Sequence, residues 1–125
     1  MNYKKFLLTG GTIAALDFVF LKFLTPLFNK MVKGIQGSDI KPNMVGLCLA
    51  YIVLICQLYY FIIAKNASIM DAFLLGFTSY AIFDLTNYTI FKNYDMKVVV
   101  IDSLWGGTLY ALTTYIVSTL YIIIN

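Results

Sequence analysis

Six residues in this sequence have the chemistry of a site: Asp17, Lys22, Asp84, Asn87, Asp102 and Trp105. Asp84 and Asn87 stand three apart, as do Asp102 and Trp105, a spacing that puts each pair on one face of a helix. Carboxylate and amide oxygens suit a proton, a hard cation or a small polar solute, and an indole N–H can hold a carboxylate in place. All six residues lie within or beside apolar runs. A carboxylate at the centre of a bilayer costs roughly 3 kcal/mol or more, so such groups turn inward and find partners. Asp17, Asp84, Asn87, Asp102 and Trp105 are therefore the candidate ligand- or ion-binding residues, and Lys22 is the candidate counter-ion. The same residues can also serve as a buried hydrogen-bond network that locks the packing.

The composition supports that setting. Of 125 residues, 61% are hydrophobic and 12% charged, against about half and a quarter in a soluble domain. All nine basic residues are lysine, all six acids are aspartate, and histidine is absent. Histidine-ligated haem, histidine-based zinc sites and Ser-His-Asp chemistry are excluded, and no cofactor is expected. The net charge of +3 is scattered along the chain, which argues against nucleic acid as a partner. Cys48 and Cys56 stand eight apart in one apolar run. They would lie about 12 Å apart along a helix, beyond the roughly 7 Å Cα separation of a disulfide, and read as packing residues.

The elements that position these groups follow from the apolar runs. The pattern predicts one all-α domain over residues 1–125, an integral membrane bundle of four transmembrane helices at about 6–28, 44–64, 70–91 and 98–124. The basic start and first apolar run resemble a signal peptide. Asp17 interrupts that run and no small-residue cleavage pattern follows, so it reads as a retained helix that Pro26 kinks or ends. Residues 29–43 read as an aqueous loop. A short interfacial helix over 28–35 is conceivable, with Met31, Val32 and Ile35 towards lipid. The side of the membrane carrying this loop and the turn 92–97, here termed the loop side, holds Lys30, Lys33, Lys41, Lys92 and Lys97. The other side holds Lys4, Lys5 and Lys65, so the lysine balance leans the loops towards the cytoplasm.

Counting residues from the helix ends puts Asp17 and Asp84 roughly 10 Å, and Asp102 roughly 6 Å, below the loop side. Three aspartates on three helices thus share one leaflet. Gly106 and Gly107 allow another helix to approach closely beside Asp102. Lys22 either pairs with an aspartate or snorkels to the boundary.

At these residues the chain resembles a family of small bacterial predicted membrane proteins of unknown function with four helices. That family carries Y-D-x-T-N near the end of its third helix, D-x-x-W-G at the start of its fourth, and a leucine-aspartate pair in its first. The matches here are Phe83-Asp84-Leu85-Thr86-Asn87, Asp102-Ser103-Leu104-Trp105-Gly106 and Leu16-Asp17. Phe83 replaces the family's tyrosine, which removes a hydroxyl donor beside Asp84. The resemblance implies the architecture and the residue list, and no activity.

The leading expectation is a small multi-pass membrane protein that binds or conducts a cation, proton or small polar solute. A bundle of this size offers little pore, which points to a homo-oligomer or a subunit of a larger complex. A structural or assembly subunit is the alternative. A metal-dependent lipid-modifying enzyme ranks third, because arginine and a D-D-x-x-D run are absent.

Overall fold

The computed structural model describes residues 1–125, folded as four long helices without strands. These are α1 (Tyr3–Gln36), α2 (Met44–Leu58), α3 (Ile69–Ile90) and α4 (Met96–Ile124); a five-residue π-helical turn, Tyr59–Ile63, extends α2. With that turn included, all four are long and apolar enough to cross a membrane. Each begins where a short polar side chain accepts the first free N–H groups: Asn2 from Lys5, Asn43 from Val45 and Gly46, Ser68 from Asp71, and Asp95 from Lys97.

The first helix departs from expectation. It runs through Pro26 to Gln36 and ends at Gly37, whose φ of 79° supplies the left-handed cap. At 1.5 Å per residue it is about 51 Å long, so its last turns project beyond a hydrocarbon core of roughly 30 Å. Proline lacks only its own N–H, and tertiary packing compensates. Met31 packs with Tyr94, Val98 and Val99, with Leu27, Phe28, Val32 and Ile35 against this cluster. Met31, Val32 and Ile35 therefore cover the α3–α4 turn and the start of α4, and do not lie on a lipid-facing interfacial helix. The aqueous segment shortens to residues 37–43. Asn29 pins it by donating to Asp39 (3.2 Å) and accepting from the Ile40 N–H (2.9 Å), and Lys33 lies 4.0 Å from Asp39.

At the opposite side the helix ends meet. The Asn2 amide donates to the Tyr59 hydroxyl, its side chain to Tyr121, and Lys4 to Asn125. The up-down order expected of four spans follows from these contacts. A core of Ile13, Leu58, Ile62, Ile63, Ala72, Leu109, Tyr110 and Val117 fills this half.

Helices α3 and α4 cross closely at glycines. A Cβ on Gly76 would enter the Gly106 carbonyl, and one on Gly106 would enter the Tyr80 ring. By contrast, Leu58 is the one buried residue along the α-helical part of α2. Polar side chains tie that helix to the rest. Tyr110 donates to the Leu54 carbonyl (3.1 Å) and to Gln57 (2.5 Å), and Gln57 donates to Ser79 (2.9 Å). Cys48 and Cys56 are exposed free thiols on α2.

Candidate functional site

Between the two apolar clusters lies a polar layer with two centres. Asp84, six residues before the end of α3, and Asp102, six residues into α4, sit at one level, about 9 Å below the loop-side helix ends. Asp84 is completely buried. Its Oδ1 accepts from the Tyr94 hydroxyl at 2.8 Å, whereas Oδ2 has no hydrogen-bond partner. Asp102 is near enough to act on Asp84 electrostatically, although no hydrogen bond joins the two carboxyl groups. Tyr94 belongs to the turn outside the spans, and its phenol is pushed above its usual range chiefly by burial. Asn87 works against that shift, while Asp84 and Asp102 reinforce it. Tyr94 is thus a neutral, permanent donor to Asp84. Asn87, half-buried on α3, makes no side-chain hydrogen bond of its own to either carboxyl group.

The second centre is Asp17. Its Oδ1 accepts from the Trp105 indole N–H at 2.9 Å, and its Oδ2 accepts from the Tyr51 hydroxyl. Trp105 in turn stacks on Phe20 of α1, with ring centroids 4.3 Å apart and planes within 7°. One carboxylate therefore joins α1, α2 and α4, and both of its oxygens are occupied. Tyr80 of α3 packs its ring against Gly106 of α4 and lines a cleft together with Asp102.

Lys22 joins neither centre. It is exposed, with its ammonium 4.9 Å from the Phe18 ring centroid, and the sole ion pair of the structure is Lys33–Asp39 in the loop. Its ammonium turns back over Phe18, one turn towards the middle of α1, so it neither pairs with an aspartate nor reaches the loop-side boundary. No three carboxylates or thiols converge into a metal-ligating group.

Two hydroxyls that complete these centres, Tyr51 and Tyr94, are not apparent from the sequence pattern. Tyr51 stands in mid-span, away from the boundary where tyrosine usually sits. Tyr94 is the one aromatic in an otherwise polar turn, a sign that the turn folds back inward.

A match to the family described as "Predicted membrane protein (DUF2177)" covers residues 2–119. The chain belongs to this family. No curated protein and no solved structure matches it. In this DUF2177 member Phe83 is 55% exposed on α3, and the hydroxyl donor to Asp84 comes from Tyr94.

Tyr94→Phe removes a buried O–H···carboxylate bond and is expected to lower stability by about 2 kcal/mol, read as the unfolding free energy in detergent. Tyr88→Phe, at an exposed position of the same region, is the control and should leave stability unchanged.

Proposed function

We propose that this protein binds a single positive charge, a proton or a small cation, at the Asp84–Asp102 pair in the loop-side half of the membrane. Asp84 Oδ2 carries this assignment: it is wholly buried, lacks a donor, and lies at the level of a second carboxyl group, Asp102 of the adjoining helix. Two carboxyl groups so placed repel unless a positive charge sits between them, either one shared proton or a bound cation. Lys22 does not supply that charge, because its ammonium lies over Phe18. Each oxygen of Asp17 already accepts a hydrogen bond from another helix, so this residue serves as a clamp. Two carboxylates fall short of the six or more oxygens that calcium takes, which favours a proton or a monovalent or organic cation. The same shortage counts against metal-dependent lipid chemistry.

Ile13, Leu58 and Leu109 are fully buried and close the other half of the bundle. Movement of the charge across the membrane therefore requires several copies of the chain or a larger membrane complex. The lysine balance, five on the loop side against three, favours the loop side as the cytoplasmic one.

Unfolding midpoints in lipid nanodiscs test the assignment, measured against sodium, potassium and methylammonium concentration and against pH. A ligand that binds only the folded state adds about 2.7 kcal/mol at a hundred times its dissociation constant. The native chain should show this dependence and both Asp84→Asn and Asp102→Asn should lose it. An unchanged dependence in both variants overturns the assignment.

A further inference from the structure

The loop-side half of the bundle is open to the side. Between α2 and α3 lies a cleft of about 490 Å³, with Leu49, Ala50 and Val53 on one wall, Ser79, Tyr80 and Phe83 on the other, and Asp102 of α4 among its lining. The volume falls within the range of small-molecule sites. Leu49, Val53 and Phe83 are each more than half exposed, so the mouth faces hydrocarbon rather than water. Asp102 also borders a smaller opening of about 120 Å³ beside Leu24 and Thr25 of α1.

Charge decides which molecule suits the cleft. The spans bury Asp17 and Asp84 and half-bury Asp102, and no lysine forms an ion pair with any of them. An apolar cleft with an unpaired carboxylate within it complements a molecule with an apolar body and a cationic head. Tyr80 and Phe83 add aromatic faces that attract an ammonium group.

We propose that this cleft admits a lipophilic amine from the bilayer, its ammonium group meeting Asp102 and its hydrocarbon chain lying along Leu49, Val53 and Phe83. This inference rests on cation binding at the carboxylate pair and adds the class of cation and its route of entry. The amine arrives laterally, within the leaflet, and does not cross an aqueous vestibule.

The test uses the full chain in phosphatidylcholine nanodiscs, with dodecylamine as the probe and dodecanol and methylammonium as controls. Dodecylamine should raise the unfolding midpoint at lower concentration than methylammonium, and dodecanol should leave it unchanged. Asp102→Asn should weaken dodecylamine about a hundredfold. Ala50→Phe fills the cleft and should weaken dodecylamine about tenfold. Methylammonium has no chain to accommodate and should keep its native response in Ala50→Phe. Val53→Phe, at a position 64% exposed and so tolerant of a larger side chain, gives an independent closure.

Equal dodecylamine affinity in the native chain and both closed variants would overturn the cleft as the seat. A dodecanol effect as large as that of dodecylamine would overturn the charge requirement. In either case a methylammonium response that Asp102→Asn abolishes leaves the carboxylate-pair assignment standing. No response to either amine counts against both.

Discussion

Gly76→Ala should lower stability by about 3 kcal/mol or more, at the top of the range for overpacking. The new methyl group would enter the Gly106 carbonyl, with the carbonyl carbon at 2.8 Å and the Tyr110 ring at 2.9 Å. Two of these atoms are backbone and cannot rotate aside, so α3 and α4 must separate. Because Asp84 and Asp102 sit on those two helices, separation also pulls the carboxyl pair apart, and the cation response should fall with stability. Gly107→Ala meets the Phe73 ring edge at 2.7 Å, a side chain able to move, and should cost less. Gly11→Ala meets nothing within 4 Å and should be neutral or stabilising by about 0.5 kcal/mol through helix propensity. Denaturant unfolding in detergent ranks the three. Equal stabilities for Gly76→Ala and Gly11→Ala would contradict the close crossing.

Asp17→Ala is the second large effect. It leaves the Trp105 indole N–H and the Tyr51 hydroxyl without an acceptor in the membrane interior. Each such bond to a charged group contributes roughly 1.5–3 kcal/mol, and relief of the buried carboxylate offsets part of the loss. A net destabilisation of about 3 kcal/mol is expected. Asp17→Asn retains one acceptor and should lose about half of that. Trp105 is the only tryptophan, so its emission reports the same change directly. It should shift in Asp17→Ala and in Tyr51→Phe. Native stability and native emission in Asp17→Ala would show that the contact does not hold α2 to the bundle.

The four spans were legible because each is a long apolar run, and membrane solvation makes length and apolarity decisive. The level shared by Asp84 and Asp102 was also legible, since it follows from counting residues back from the α3–α4 turn. The end of α1 was not. Lys30, Lys33, Gly34 and Gln36 give residues 29–36 the composition of a loop. They continue as helix because Met31 finds Tyr94 and Val99 across the turn, a contact that local pattern does not contain. Gly106 and Gly107 announced a close approach, but their partners, Gly76 and Phe73, depend on the register of α3 against α4.

The partition of the aspartates was the least accessible feature. Asp17, Asp84 and Asp102 share a leaflet and chemical type, so composition treats them alike. Tyr51 and Trp105 converge on Asp17 from two other helices and occupy both oxygens, whereas Tyr94 serves only one oxygen of Asp84. Helix rotation sets this difference, and with it the separation of a clamp from the proposed binding pair.

Infrared difference spectroscopy of the carboxyl bands, recorded in nanodiscs with and without methylammonium, tests the binding pair most directly. Cation binding should alter carboxyl bands that are absent from both the Asp84→Asn and the Asp102→Asn spectra, while Asp17→Asn should leave those changes in place. A spectrum without carboxyl changes, or one in which only Asp17→Asn removes them, would contradict a cation site at Asp84 and Asp102.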